Sequence, residues 1–485
     1  MNRYRIGRIE GPWTNYVPPI QGGVFDPLPT KEAPSPSASA SDISKDASDT
    51  SGSRAPSPVF DTENPTLRRR HGSSPASSTH EEEDVGEMDG ITYLDAQTRR
   101  EIRLDLDKYP SPDSDTQALI VEKYRQLHGR LKAEGFFECN YWAYGVEATR
   151  YISFLLLSAL FLRLGWYSIS GAFLGMFWHQ ASFCVHDAGH MGITHDFTTD
   201  SLIGIFLADF CGGLSLGWWK WSHNVHHIVT NSPEHDPDNQ HMPFLAVNHR
   251  FFKSLYSTYH HKVMKYDMAA RAITSIQAWL YYPLMMAARF NLFVQSWIYL
   301  LGGMGPKRGP AWWHRWLEIT GMVCFWTWYG YFLVYKTIPT NRDRLVFFFV
   351  SNFTTVPLHV QITLSHFAMS ASDLGPQESF AQKMLRTTMD VDCPEWLDFF
   401  HGGLQFQAVH HLFPRMPRHN LRAAQKIVQE FCEEVGIPYA LYGFVDGNKH
   451  MLGHLAEVSR QGAILAKCQR TVARRGDYLH DVFAG

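Results

Sequence analysis

The sequence predicts an all-α integral membrane protein with about four transmembrane helices, interfacial helices and a histidine-rich cap on one membrane face. Three observations carry this expectation: apolar runs of crossing length, their pairing around short polar turns, and histidine clusters that the resulting topology returns to the same side.

The order of elements follows from composition. "MNRYRIGRIEGPWTNY" has no apolar h-region, so no cleaved secretory signal is expected. Residues 27–90, with "APSPSASASDISKDASDTSGSRAPSPVF" and "EEED", hold too few large apolar side chains to offset their ordering entropy and read as a disordered Ser/Pro-rich linker. Residues 91–146 read as an amphipathic membrane-surface segment. Within it, "SDTQALIVEKYRQLHGRLKAEG" has a capping-box pattern at Ser114 and Gln117, apolar residues at helical spacing and a stop at Gly135.

From about residue 147 the chain turns apolar. "EATRYISFLLLSALFLRLGWYSISGAFLGMFWHQASFCV" is long enough for two crossings of about 20 residues joined at Gly165–Trp166. "RWLEITGMVCFWTWYGYFLVY" and "RLVFFFVSNFTTVPLHVQITLSH" flank the polar turn "KTIPTNRDR" and make a second hairpin. "SLIGIFLADFCGGLSLGWW" and "AWLYYPLMMAARFNLFVQSWIYLL" are placed at the interface or against protein, because Asp209 and Arg289 at a bilayer centre would each cost about 2.5–3.5 kcal/mol. The membrane domain spans 147–420, and 421–485 is read as cytosolic C-terminal helices. Asn420 is the expected N-cap of "LRAAQKIVQEFCEEVG".

The chemistry sits in three clusters. "HDAGH" places His186 and His190 four residues apart on one helix face. "HNVHH" contributes His223, His226 and His227, and "QAVHH" contributes Gln407, His410 and His411. With 25 histidines in 485 residues, one H-x-x-x-H pair arises by chance about once in the chain, whereas three clusters on one face do not. Zinc is satisfied by four ligands, so seven clustered histidines exceed one zinc site and imply two metals. Neutral imidazole suits iron, zinc, copper or nickel. The net charge of −3 gives no reason to expect nucleic acid, and seven cysteines without a C-x-x-C pair suggest neither disulfides nor a cysteine zinc site.

"HDAGH", "HNVHH" and "QFQAVHHLFPRMPRHN" together resemble the three histidine boxes of membrane fatty acyl and sphingolipid desaturases. The glutamine opening the third box is similar to the front-end branch. "HDAGHMGITHD", "RIGRIEGPW" and "YVPPIQGG" most resemble fungal Δ8-sphingolipid desaturases. Val409 stands where front-end members commonly have glutamate. The resemblance implies the di-iron desaturase fold, with two irons held by His186, His190, His223, His226, His227, His410 and His411, an eighth ligand at His366, and Gln407 in a catalytic position in place of a box histidine. It also implies a dioxygen-dependent enzyme of the endoplasmic reticulum with a cytosolic site, acting on a sphingoid base, ceramide or fatty acyl chain. A lipid hydroxylase is the nearest alternative and a metal-ion transporter a remote one. Asp187 and Asp236 are candidates to orient imidazoles, His179 and His195 read as supporting or packing residues, and Trp218, Trp219 and Trp221 as a channel mouth or interfacial anchors.

Residues 1–26 resemble the tail that follows a cytochrome b5 domain. No "HPGG" haem signature occurs, so haem is not expected in this chain, and cytochrome b5 with its reductase is the expected electron donor in trans. Arg415, Arg418 and Arg422 are candidates for its docking face.

Overall fold

A computed structural model describes residues 89–475; the expected 1–26 tail and all but the end of the 27–90 linker lie outside the described residues. The architecture is helical, with two small strand pairs, β1 (Tyr256–Ser257) with β2 (Lys262–Val263) and β3 (Asp390–Asp392) parallel to β4 (Leu441–Gly443). Two surface helices, α1 (Gly90–Lys108) and α2 (Ser114–Ala133), precede the apolar region. The cap of α2 is Asp113, not Ser114: its carboxylate accepts from the backbone N–H of Asp115 and Thr116. Gln117 is buried and donates instead to Ser111 O and Gln382 Oε1 at 2.8 and 2.9 Å.

The first apolar hairpin is α3 (Tyr141–Arg163) and α4 (Tyr167–Gly189). Ser158 and Ser170 exchange hydroxyl-to-carbonyl bonds of 2.9 and 2.7 Å across it, which satisfies both hydroxyls where no water reaches. The second comprises α8 (His314–Phe325) with its π-helical continuation Trp326–Thr337, then α9 (Asn341–Phe353) and α10 (Val356–Phe367). Tyr329 and Ser351 join its arms hydroxyl to hydroxyl at 2.8 Å. The hairpins meet where α4 crosses α9. A Cβ on Gly175 would lie 2.4 Å from Ser351 O, and one on Gly171 3.0 Å from Phe347 O, so this pair of small residues lets the two backbones touch.

Between the hairpins, α5 (Phe197–Ile205) continues as a π-helical turn through Cys211, and α6 (Leu216–Val229) leaves it at 117°. The break frees carbonyls that must be satisfied. Trp328 Nε1 donates to Phe210 O, Trp178 Nε1 to Cys211 O and Arg289 Nη2 to Gly212 O, at 2.7–2.8 Å. Arg289 lies on α7 (Gln277–Leu301), stacks 4.3 Å from the Trp178 ring and also donates to Asn352.

Among the described residues three helical stretches are long and apolar enough to cross a membrane, Tyr141–Arg163, Gln277–Leu301 and Asn341–Phe367, or up to four if the bent pair α5–α6 forms one span. Gln277–Leu301, expected at the interface or against protein because of Arg289, is thus long and apolar enough to cross, and the Arg289 charge is buried and bonded within the protein. Helix α4, the second arm of the first hairpin, is buried along most of its length.

The cap is formed by α11 (Phe380–Thr387), α12 (Gln407–Leu412), α13 (Leu421–Val435) and α14 (Phe444–Arg475). Its apolar core joins Ile120, Leu127 and Leu131 of α2 to Met384, Leu412, Val428 and Phe431. Asn420 does not cap α13; its amide donates to Phe136 O and Glu138 O at 2.8 and 3.0 Å, tying α13 back to the end of α2.

Gly175→Val should cost about 1–3 kcal/mol through overpacking against the α9 backbone. Thermal denaturation of the purified protein in detergent should show a clear fall, whereas Gly145→Val on α3, where a Cβ meets nothing within 4 Å, should change little.

Candidate metal centre

The end of α4 delivers His186 and, at its C-cap, His190; α6 delivers His223, His226 and His227; α10 carries His366 in its last turn; and α12 carries His410 and His411. Spacings of three and four residues on α4 and α6 align their rings on one face, while His410 and His411 are adjacent on α12 and α10 supplies His366 alone. The structure brings all eight together. Ligand atoms of His186, His190, His223 and His410 lie within 4.8 Å of one another, and so do those of His226, His366 and His411. His227 stands between the groups: its Nε2 is 3.0 Å from His223 Nε2 and 3.2 Å from His410 Nε2, and its ring stacks on His411 at 4.2 Å.

His190 Nε2, His227 Nδ1, His366 Nδ1 and His411 Nε2 are buried without a hydrogen-bond partner. Unpaired nitrogens packed in two groups are costly unless a cation accepts their lone pairs. Burial, then the neighbouring imidazoles, holds His410 and His411 well below the ordinary histidine range, so both are neutral and able to ligate at pH 7. Two nitrogen-rich sites side by side fit a pair of borderline metals such as iron.

The comparisons with known proteins agree with this geometry. Residues 164–443 match the fatty acid desaturase family. The chain belongs to that family. It is 56% identical over 98% of its length to a Delta 8-(E)-sphingolipid desaturase of Emericella nidulans, covering 86% of that protein. A protein of the same description from Kluyveromyces lactis is 44% identical over 97% of the chain and 83% of its own length. An acyl-lipid (9-3)-desaturase of Borago officinalis is 40% identical over 61% of the chain and 65% of its own.

What holds the histidines of this desaturase in place was only partly visible in the sequence. Asp236 fulfils its expected role: it accepts from the Asn231 and Asp238 N–H groups and lies 2.9 Å from His226 Nδ1. Asp187 does not. It is 3.9 Å from His186 Nδ1 and instead takes Tyr144 and Arg418 as partners. Arg418, 7% exposed, also pairs with Glu147, which lies 2.9 Å from His419 Nε2. The "PRHN" tail of the third box is thus a lock on the first. This removes Arg418 from any docking face, and Arg422 is engaged by Asp398; only Arg415 of the three is an exposed side chain outside an ion pair among the described residues.

Other supports carried no sequence signal. Asn231 donates to His366 O at 2.8 Å, joining the second box to α10. The Thr230 hydroxyl sits 2.7 Å from His226 O and 3.2 Å from His411 Nδ1. Asp390 accepts from Ala408 N at 2.8 Å and from Gln425 and Tyr439, anchoring α12 from β3; burial nevertheless pushes its carboxyl up to about 6. Trp219 packs 4.3 Å from the His223 ring, and a Cβ on Gly189 would fall 2.1 Å from it, so the glycine of "HDAGH" makes room for the indole. Trp221 faces outward at 42% exposure, against Tyr259. Gln407 is buried at the start of α12, one turn before His410 and His411. His195 contacts Met191 O and Phe137 O, a packing role away from the cluster, and His179 lies two turns below it.

Asp236→Ala should lower bound metal per chain by about 10–100-fold in affinity, the usual effect of losing a carboxylate that orients a ligating histidine. Metal titration of the purified protein measures it.

Proposed function

We propose that this desaturase uses two iron ions, held by His186, His190, His223, His226, His227, His366, His410 and His411, to place the Δ8 double bond in a sphingoid long-chain base, free or as ceramide. The observation that carries the metal assignment is the pair of imidazole groups with unpartnered buried nitrogens. Support for the substrate comes from relatives known as Delta 8-(E)-sphingolipid desaturases, 42–56% identical over at least 95% of the chain. The relatives described as Delta(8)-fatty-acid and acyl-lipid desaturases match over 70% and 61% of it.

Removing hydrogen from two adjacent methylenes lies beyond acid–base side chains, since such C–H bonds do not ionise. Bound iron supplies the redox chemistry: one dioxygen, two hydrogens from the lipid, two electrons and two protons from outside yield one double bond and two waters. The protein's residues do the rest. Asp236, Asn231 and Thr230 fix ring orientation, neutral imidazoles donate their lone pairs, and the Trp219 ring covers the rings of His186, His190 and His223 on one side. Gln407 contributes an amide, a weaker donor than imidazole, one turn ahead of the third box. The electrons are assigned to cytochrome b5 and its reductase, and the site to the cytosolic face of the endoplasmic reticulum.

Expression in a host whose long-chain bases lack Δ8 unsaturation tests this reading. Lipid analysis should reveal a new Δ8 long-chain base; a product unsaturated only in the fatty acyl chain, or one hydroxylated rather than desaturated, contradicts it. His226→Ala should abolish product while the protein stays membrane-inserted. Gln407→Ala should retain iron yet lose most turnover, and unchanged product yield would reduce Gln407 to a packing residue.

A further inference from the structure

Beneath the metal centre the structure holds a second buried polar cluster. His179 precedes His186 by seven residues on α4, and His359 precedes His366 by seven on α10. Seven residues are just under two helical turns, so each lies on the same face as its partner and about 10 Å farther along the axis. His401, from the short helix Asp398–His401, and Gln361 complete the group. His179 stacks 5.1 Å from the ring of Phe400, the residue next to His401, and Gln361, two residues after His359 on α10, is 3.0 Å from His401 Nδ1.

These side chains are 4–7% exposed, yet three of their polar atoms, His179 Nε2, His359 Nε2 and Gln361 Oε1, have no hydrogen-bond partner. The other polar atoms of His179 and Gln361 are committed. The Gln180 amide donates to His179 Nδ1 at 3.3 Å, which leaves the proton of that ring on the unpartnered Nε2. The Gln361 amide nitrogen lies 3.0 Å from His401 Nδ1, which leaves its carbonyl oxygen as a free acceptor. The cluster therefore presents a donor, an acceptor and an imidazole nitrogen. The nearby Arg289 guanidinium is occupied by Gly212 O, Asn352 and Trp178. Such a set suits hydroxyl and amide groups.

An apolar rim lies beside it. His179 packs on Phe400 and His401 on Phe444, at ring distances of 5.1 and 5.9 Å. Around them Trp396, Phe399, Phe444 and Val445 are 71%, 44%, 40% and 63% exposed, the arrangement expected where a membrane lipid slides in from the side.

We propose that His179, His359, Gln361 and His401 form a headgroup subsite that hydrogen-bonds the C1–C3 end of a sphingoid base and so fixes which carbons reach the histidine cluster, a claim that rests on the sphingoid-base reading above. Dimensions agree. Five to seven bonds separate C3 and C1 from C8, and an extended chain, at about 3.6 Å per three bonds, spans roughly 6–8 Å over that stretch. A hydrogen bond of about 3 Å at the polar end brings the total to the roughly 10 Å offset between the clusters.

The test uses membranes of a host expressing the full chain, supplied with dihydroceramide or free dihydrosphingosine and with their 1-deoxy and 3-deoxy analogues. A site built to bond hydroxyls rejects analogues lacking them, so the wild type should prefer the hydroxylated probes by about 10-fold or more. Gln361→Leu and His359→Leu should shrink that preference to within about 3-fold and spread the double bond over neighbouring positions at wild-type iron content. His359→Gln, which keeps hydrogen-bonding capacity, should retain most of both properties. Leucine variants that keep full discrimination and a single double-bond position overturn the subsite, as does joint loss of iron and activity in the leucine and glutamine variants alike. A wild type that desaturates neither sphingoid probe but acts on an acyl chain refutes the substrate reading instead.

Discussion

Eight imidazoles packed with their nitrogens facing one another inside a membrane protein impose the constraint on which the remaining structure depends. Without a cation each unpaired nitrogen carries a desolvation cost of about 1–3 kcal/mol, and at His410 and His411 burial and the neighbouring imidazoles oppose protonation. The protein resists collapse of this arrangement with bonds that do not involve the metal-facing nitrogens. Arg418 ties the third box to Asp187 beside the first and to Glu147 on α3, Asn231 ties the second to α10, and Asp390 holds α12 from the strand pair. Histidines from four separate elements are thereby held in one preorganised cluster.

The membrane helices serve the same end. The bend between α5 and α6 turns the second box toward the first, and three side chains on other helices absorb the carbonyls that the bend exposes. The close contact of α4 with α9 through Gly171 and Gly175 fixes the spacing of the hairpins whose ends carry His186 and His366. Because α4 and α10 each present a histidine two turns below a ligand, the same helix faces carry polar groups at two depths.

Local spacing made much of this legible. H-x-x-x-H and H-x-x-H-H are helix-face patterns, so the seven box histidines follow from the chain alone, whereas their common side rested on a crossing count that left out Gln277–Leu301 and is shown by their packing together. His366 had no local pattern and rested on resemblance; the structure brings it to 4.7 Å, ring to ring, from His226. What the sequence concealed were long-range partners. Ser114 and Asn420 had the right residue type for caps, but Asp113 lay one position closer and the Asn420 amide found carbonyls nearly three hundred residues away. Arg289 looked too costly for a span because its partners, Gly212 O and Asn352, come from other segments. Asp187 sat beside a ligand in sequence yet serves Arg418.

The central claim is that the eight histidines hold two irons in nitrogen-rich sites. Metal analysis combined with iron X-ray absorption on the purified, active protein tests it most directly. Two irons per chain, each with a first shell dominated by imidazole nitrogen at about 2.0–2.2 Å, is the expected result. One metal per chain, zinc in active protein, or a shell dominated by oxygen would contradict the account.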